Sequence, residues 1–431
     1  MVVLSVKTYF RFLVIILMVT TYLHLLTNNL PPIIRSHHFW APIWFFSLLL
    51  FAPRVLTHKL FLYVLVTGSV LVFILLNTIW IDVREWDQSK VTGEFYVFSV
   101  ALSMYAYFRV YEDYEGLVIV LKWVMLFVGI TAIMSIYSSV VDPMYARNLV
   151  GGRIEEMDEV RRYGGGSYGF AGALVCLFPM IVYYYKNSLK IPFSKPVILL
   201  FGLVCFAALI RMQIFANVLL AVCVITFSLL GTKNIHTSML FSVILLLLII
   251  VTPSNFISDS LISIGDYFDT ESMIYSKIIE LAIYIEVGGG YDETGYGGRA
   301  ARYPLLWEGF KENPLFGFYN SDSKLDIGAG GHLYWMNKLT VFGIFGFIVF
   351  ALIFYFHYRE NIIQFDREFL FYFVLSALSV IALGLMKNLS GREFWYMYFF
   401  IIPGMYYLPL QKNKNSDNQI ESYEASGNVQ S

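Results

Sequence analysis

The chain has 431 residues, of which 58% are hydrophobic and only 14% are charged, and its formal net charge is −1. A soluble domain carries about 25% charged residues, so the composition excludes an ordinary soluble protein. No basic domain is present, and nucleic acid is therefore not an expected partner. Apolar runs of roughly 15 to 25 residues recur along the whole chain, which is long enough to cross a hydrocarbon core of about 30 Å. Because backbone groups in lipid must bond to each other, we expect an all-α polytopic membrane protein.

About twelve transmembrane helices are predicted. The apolar run from 196 to 231 is too long for one span, so a turn is placed at Arg211. The first apolar run lacks a convincing signal-peptide cleavage site, so it is expected to remain as the first span. Residues 1–410 are therefore predicted to form a single integral membrane domain, and the polar tail 411–431 is predicted to be disordered in the cytoplasm. The predicted spans lie near residues 9–27, 39–53, 60–80, 94–109, 117–140, 168–185, 196–210, 213–231, 238–252, 333–356, 369–386 and 394–410.

The orientation follows from Lys and Arg in the short loops, since cytoplasmic loops carry an excess of them. One alternate set of loops has this excess, and we expect it to face the cytoplasm together with both termini. The opposite set contains the two long loops, 141–167 and 253–332, which are expected to be periplasmic. Long loops largely escape the charge rule, so their Arg residues do not conflict with this topology. The cytoplasmic set includes Lys7, Arg54, Lys59, Lys190, Arg359 and Lys412.

The second long loop is expected to carry short helices. Residues 272–286 place apolar side chains on one helical face and polar ones opposite, which favours an interfacial helix. Pro304 suits the first turn of a further helix, and Asn313-Pro314 is expected to end it. The predicted fold class is thus about twelve transmembrane helices with a large periplasmic loop that carries short helices.

Two polar features lie in the first long loop and at the predicted turn between spans. Arg147 and Arg153 occur among acidic residues, and Gly164–Gly166 follow them. This segment is either a solvated loop with compensating charges or an anion or sugar site, in which glycine N–H groups approach a phosphate. Arg211 is either a snorkelling side chain or a phosphate ligand at an outward-facing cavity.

The second long loop holds the remaining candidates. Arg299 and Arg302 are expected just ahead of a helix N-terminus, where they form either a cradle for a diphosphate or an ordinary charged loop. His332 follows a glycine turn at the mouth of the next span, and an imidazole suits proton transfer. Tyr303 and Tyr334 either stack on sugar rings or anchor the chain at the membrane interface.

No metal or cofactor is expected. The three cysteines lie in apolar spans without a CxxC or Cys/His cluster, and the acidic residues lack the spacing of metal ligands.

Several of these residues fall in one ordered pattern. It consists of an Arg shortly before a Trp, then Asn-Pro-x-x-Gly, then Gly-His, then Gly-x-x-Gly in the following span. The pattern resembles the O-antigen polymerase and ligase superfamily over about fifty residues. It is carried by Arg302 to Trp307, Asn313-Pro-Leu-Phe-Gly317, Gly331-His332 and Phe342-Gly-Ile-Phe-Gly-Phe347.

The first long loop resembles the polymerase branch of that superfamily. The string Gly166-Ser-Tyr-Gly-Phe-Ala-Gly172 is followed by Pro179, and Arg153 is followed by ten residues and Gly164. One position departs from the pattern, because the usual Ser-Arg-Gly at the short outside turn is here Ile210-Arg211-Met212.

The resemblance implies a metal-independent glycosyltransferase at the outer face of a bacterial inner membrane. The donor would be an oligosaccharide on undecaprenyl diphosphate. The acceptor would be a second lipid-linked repeat unit, and a chain-length regulator in the same membrane would be a further partner. By the same resemblance, His332, Arg302 and Arg211 would be catalytic. Substrate-binding roles are expected for Arg299, Arg153, Arg147, Tyr303 and Tyr334.

Two alternatives remain open. A ligase would use the same chemistry but transfer the polysaccharide to the lipid A core, so it differs in acceptor only. A flippase or other transporter would also have many helices, but transporters typically show paired repeats with broken helices near the midplane, and no internal repeat is evident here.

Overall fold

The computed structural model describes residues 5–27, 30–78, 85–142, 145–146, 163–190, 193–212, 214–231, 254–270, 273–286, 295–317, 333–389 and 391–409. Within these ranges the chain is helical and contains no strands, so the predicted all-α fold class is confirmed. The helices are α1 (Val6–Tyr22), α2 (His24–Thr27), α3 (Pro32–Arg35), α4 (His37–Phe51), α5 (Lys59–Thr78), α6 (Glu85–Val110), α7 (Tyr114–Val141), α8 (Tyr168–Lys186), α9 (Lys195–Arg211), α10 (Phe215–Leu230), α11 (Ser254–Gly265), α12 (Met273–Glu286), α13 (Gly295–Glu312), α14 (Tyr334–Ile362), α15 (Arg367–Met386) and α16 (Arg392–Tyr396). A π-helical turn (Met397–Ile401) and a last short helix, α17 (Ile402–Met405), continue α16.

Four of the described helices, α7, α8, α14 and α15, are long and apolar enough to cross a membrane by length and composition. Shorter apolar helices cover His37–Phe51, Lys59–Val70 and Ala216–Leu230. The predicted turn at Arg211 is confirmed, because α9 ends there and α10 begins at Phe215. The predicted span near 238–252, the first long loop between 147 and 162, and the tail lie outside the described residues.

The helix predicted over 272–286 is present as α12 (Met273–Glu286), but the next helix corrects the prediction. α13 ends before Asn313, as expected, yet it begins at Gly295, nine residues ahead of Pro304. Arg299 and Arg302 therefore lie within the helix and not ahead of its N-terminus. A proline removes only one hydrogen bond from the preceding turn, and Ala300 and Ala301 are the strongest helix formers there.

The centre of the bundle is formed by α8 and α16, which are buried on nearly all sides. α8 packs against α9, α10 and α15, and α16 packs against α6 and α8. α8 is apolar on all its faces, as is typical of a helix inside a bundle, whereas α16 buries Glu393 among its aromatic residues. The peripheral helices instead expose large apolar side chains, among them Phe46, Leu126 and Ile348.

Hydrogen bonds define the two ends of the bundle. At the Glu393 end, the Tyr22 hydroxyl at the end of α1 donates to the Glu393 carbonyl, and Ser167 just before α8 donates to the Glu393 carboxylate. At the Asp113 end, Arg11 of α1 forms an ion pair with Asp113 just before α7. There Lys186, in the last turn of α8, also donates to the final carbonyl groups of α10.

Candidate functional site

A buried carboxylate organises the Glu393 end. The Glu393 side chain is 7% exposed, and its Oε1 lies 3.2 Å from Nε2 of His24. The same oxygen accepts a hydrogen bond of 3.1 Å from the Ser167 hydroxyl. Burial alone would raise the pKa of Glu393, but the contact with His24 and the nearby charge of Arg392 bring the pKa below its ordinary value. The carboxylate is therefore held as a buried anion, which is stable only with such partners.

Local backbone features set this geometry. Ser167 is the N-cap of α8, since its Oγ accepts from the N–H groups of Gly169 and Phe170. Gly391, just before α16, has φ of 104°, and a Cβ there would lie 2.8 Å from Glu393 Oε2 and 2.9 Å from Gly169 Cα. Only glycine fits that position, so the close approach of the α8 and α16 N-termini depends on it.

A second, partly buried ion pair lies at the same end, between α6 and α14. Glu94 Oε2 accepts from Lys338 Nζ at 2.6 Å and from the Tyr334 hydroxyl at 3.1 Å. The Lys338 ammonium also lies 5.0 to 5.6 Å from the ring centroids of Tyr334, Phe342 and Phe350. Lys338 is thus enclosed by one acid and three aromatic faces, an arrangement that favours the cation.

The predicted arginines Arg211, Arg299 and Arg302 map to the Glu393 end. Lys195, at the start of α9, lies over the Tyr185 ring near the end of α8. α9 therefore begins at the Asp113 end, and its exposed last residue, Arg211, lies at the opposite end. The Tyr303 hydroxyl of α13 donates to the Leu385 carbonyl near the end of α15. This contact holds the helix that contains Arg299 and Arg302 at the Glu393 end as well.

His332, Arg147 and Arg153 lie outside the described residues. The residue after His332 is described, however. Leu333 is buried, and the N–H of Tyr334 donates to the Lys387 carbonyl at 3.0 Å, beyond the end of α15. The chain therefore enters α14 from the Glu393 end.

The two predicted tyrosines differ in exposure. Tyr303 is 37% exposed and offers part of its ring. Tyr334 is 1% exposed, and Trp335, Phe350 and Trp395 pack around it. The described contacts of Tyr334 are therefore with protein, and its ring has no free face for a sugar.

The glycines at 164–166 pack closely against the rest of the protein, and one of the N–H groups that could approach a phosphate is already bonded. The N–H of Gly166 donates to the Ser135 hydroxyl at 2.8 Å. A Cβ on Gly164, which has φ of 71°, would lie 2.6 Å from Leu25 Cα, and one on Gly165 would lie 2.6 Å from the Tyr145 ring. These glycines let the loop pack against α2 and α7, so the Gly166 N–H is already bonded within the protein.

Two segments of the family pattern pack directly against each other. The N–H groups of Ile344 and Phe345 donate to the carbonyls of Pro314 and Leu315. Gly343 has a positive φ of 64° inside α14, and a Cβ there would clash with the backbone nitrogen of Gly317. The Asn-Pro-x-x-Gly and Gly-x-x-Gly segments thus form one backbone contact that fixes the end of α13 on α14.

An apolar groove runs between α14 and α15. Its volume is about 490 Å³, within the range of small-molecule sites. Trp335 and Leu385 line it at the Glu393 end, and Tyr358 and Val374 lie further along α14 and α15 towards the Asp113 end. Leu385 is also the residue whose carbonyl binds Tyr303, so the groove begins beside the helix that carries Arg302.

The sequence patterns did not single out His24, Glu94, Lys338 or Glu393. A charged residue inside or at the edge of an apolar run is itself a signal of function, and it could have identified Lys338 and Glu393. His24 gave no such signal, because its partner lies 369 residues away and meets it only in the fold. Within the described ranges no group of three or more His, Cys, Asp or Glu residues is placed to hold a metal ion.

The chain matches no protein-family model and no curated protein. At the Glu393 end, the described residues bring together a set of arginine positions, a buried and a partly buried pair of charged side chains, and the start of an apolar groove. Chemically, such a site can bind an anion with guanidinium groups and hold a hydrocarbon chain beside it.

Proposed function

We propose that this protein is a bacterial inner-membrane glycosyltransferase that polymerises oligosaccharide repeat units carried on undecaprenyl diphosphate into O-antigen or a related surface polysaccharide. One observation carries the proposal. Arg211, the helix with Arg299 and Arg302, and the start of the helix that follows His332 all lie at the Glu393 end of the bundle. These are the residues to which the family resemblance assigns the chemistry.

The reaction needs two kinds of group. The acceptor hydroxyl oxygen attacks the anomeric carbon of the donor sugar, the bond from that carbon to the diphosphate oxygen breaks, and the diphosphate leaves with the electron pair. His332 takes the hydroxyl proton, a step in which a general base typically contributes about 10²- to 10⁴-fold. Arg211 and Arg302 neutralise the departing diphosphate through bidentate hydrogen bonds, assisted by Arg299 or Arg153.

The membrane arrangement follows the predicted topology. About twelve spans place both termini in the cytoplasm and the Glu393 end at the periplasmic surface. In this topology the long loops 141–167 and 253–332 belong to the periplasmic side, so Arg147 and Arg153 share a compartment with Arg211.

A lipid-linked substrate fits the groove between α14 and α15. The groove is apolar and open towards the bundle surface, and its outer end begins at Leu385 beside Tyr303 and position 302. A diphosphate held at Arg302 would therefore place its hydrocarbon chain at the groove mouth. The exposed part of the Tyr303 ring is available to stack on a sugar of the same substrate.

The test is an extension assay in proteoliposomes with lipid-linked repeat units. We expect Arg211→Ala to lower the extension rate by about 100-fold or more, as removal of one oxyanion-stabilising group does. Arg211→Lys should restore little, because lysine keeps the charge but loses the planar fork. Arg359→Ala is the matched control: Arg359 is equally an exposed arginine, but it lies towards the other end of α14, so its loss should change the rate less than twofold.

The products separate the candidate functions. Long saccharides that remain on the lipid carrier identify a polymerase, whereas transfer only to an added lipid A core identifies a ligase. Movement of lipid-linked units across the bilayer without any new glycosidic bond identifies a transporter and contradicts the proposal. If Arg211→Ala extended saccharides at the wild-type rate, the assignment of Arg211 as a diphosphate ligand would be refuted.

A further inference from the structure

We propose that Glu94 is a positioning residue that fixes the first turn of α14, to which His332 is joined directly through Leu333. This inference rests on the proposed function, because it assigns a role in the proton transfer attributed to His332. It concerns a residue of α6 that is distant in sequence from every residue of the family pattern.

The backbone at the entry to α14 is strained. Leu333, directly after His332, has φ of 71° and ψ of 60°, a left-handed conformation that a leucine rarely adopts. Such a residue persists only where the surrounding structure fixes it through several contacts, and strain of this kind is concentrated at functional sites. The strain therefore marks the position next to His332 as one that the fold holds in place.

Three consecutive residues after His332 are fixed by different partners. The Leu333 side chain is buried to 2% exposure. Tyr334 donates its N–H to Lys387 and its hydroxyl to Glu94. Trp335 donates its indole N–H to the Ile381 carbonyl, and its ring lies so close to Gly384 that a Cβ there would clash with Nε1. We call residues 333–335 with Lys338 the α14 seat.

Among the described residues, Glu94 is the only acid seen in contact with the α14 seat. Its Oε2 binds both Tyr334 and Lys338, which lie one turn apart on the same face of α14. Among the described residues, the other contacts of the Lys338 ammonium are with the rings of Tyr334, Phe342 and Phe350. Loss of the Glu94 charge therefore leaves an enclosed ammonium without its counter-ion and loosens the turn that begins at Leu333.

A catalytic group must be held within about 0.5 Å of its productive position, and a misplacement of about 1 Å can cost about 100-fold in rate. We therefore expect Glu94→Gln to lower kcat by about 10- to 100-fold while KM for the lipid-linked donor stays within about twofold. Tyr334→Phe, which removes one of the two bonds and keeps the ion pair, should lower kcat less than Glu94→Gln does.

Asp113→Asn is the matched control. Asp113 is also the buried acid of an ion pair, with Arg11, but it lies at the opposite end of the bundle. If Glu94 mattered only for stability, both variants would affect the folded protein in the same way. A positioning role predicts that, at equal amounts of inserted protein, Asp113→Asn keeps the wild-type kcat.

A double variant tests whether Glu94 acts through His332. In a His332→Ala background, the additional substitution Glu94→Gln should leave the residual rate unchanged, because the group to be positioned is gone. An equal fold-loss from Glu94→Gln in the wild-type and His332→Ala backgrounds would overturn the proposal, as would a wild-type kcat in Glu94→Gln.

Amide hydrogen exchange supplies a readout that is independent of activity. Glu94→Gln should accelerate exchange in the segment 333–338, and Asp113→Asn should not. If the wild-type protein extends no saccharide, the proposed function fails, and the positioning role of Glu94 in catalysis fails with it. Unchanged amide exchange in Glu94→Gln would separately refute the role of Glu94 in holding the α14 seat. If Glu94→Gln does not insert, Tyr334→Phe decides, and a wild-type kcat in that variant contradicts the proposal.

Discussion

The Glu393 carboxylate allows a quantitative test of how a buried charge stabilises this bundle. Glu393→Gln keeps the size of the side chain and one acceptor oxygen for the Ser167 hydroxyl, but it removes the charge that faces His24. Ser167, His24 and Glu393 join the start of α8, the start of α2 and the start of α16. The substitution therefore weakens the contact at which three helices meet.

The magnitude follows from the contacts. A hydrogen bond to a charged group contributes about 1.5–3 kcal/mol, against about 1 kcal/mol for a neutral one. The amide also brings two N–H protons into a buried site, and an unpaired buried donor costs about 1–3 kcal/mol. Together these effects predict a loss of about 3 kcal/mol in the free energy of unfolding.

The measurement is a denaturant titration of purified protein in mixed micelles. Glu308→Gln is the matched control, because it makes the same chemical change in an exposed ion pair. The Glu308 side chain, which pairs with Lys311, is 64% exposed. Exposed pairs contribute about 0–1 kcal/mol, so this control should lose less than about 1 kcal/mol. Equal losses in the two variants would refute the reasoning.

The pH dependence has a definite sign. The folded-state pKa of Glu393 lies below its ordinary value of 4.5, so the folded protein binds this proton less readily than the unfolded chain does. The carboxylate therefore contributes stability above about pH 4.5, and this contribution is lost as the pH falls through the folded-state pKa. The stability difference between wild type and Glu393→Gln should accordingly shrink on acidification, and a difference that grows would contradict the assignment.

Two further outcomes are expected. Gly391→Ala should destabilise the protein strongly, because a Cβ at φ of 104° would lie 2.8 Å from Glu393 Oε2. Gly93→Ala is the control, because a Cβ there meets no described atom within 4 Å, and its free energy of unfolding should stay unchanged or rise slightly. Similar effects at both glycines would contradict the packing argument. Reporter fusions after Lys190 and after Gly290 should give opposite compartment signals, since the predicted topology places the first in a cytoplasmic loop and the second in a periplasmic one. Like signals would contradict that topology.

The fold class and several helix ends could be predicted from the amino-acid sequence. Runs of apolar residues allow only helices in lipid, and the separation of α9 and α10 at Arg211 follows from length alone. The end of α13 before Asn313-Pro314 was likewise predictable, because the residue before a proline disfavours helix. Local sequence carries this information because helix length and helix ends depend on neighbouring residues.

The predicted start of α13 was wrong, and the reason is physical. A proline permits a helix start without requiring one, and the residues ahead of Pro304 continue the helix. The role of Gly164–Gly166 was likewise not readable from the sequence. A glycine that admits a phosphate and a glycine that admits Leu25 look the same until the neighbouring helix is in place.

Which charged groups meet could be seen only once the helices were packed together. Glu393 faces His24, and Glu94 faces Lys338, across 369 and 244 residues of chain. No periodicity records such pairs, because each partner lies on a different helix and the pairing depends on how the helices pack. The apolar groove has the same origin, since α14 and α15 are each simply hydrophobic in sequence. Its position beside Tyr303 arises because one hydroxyl of α13 reaches the Leu385 carbonyl of α15.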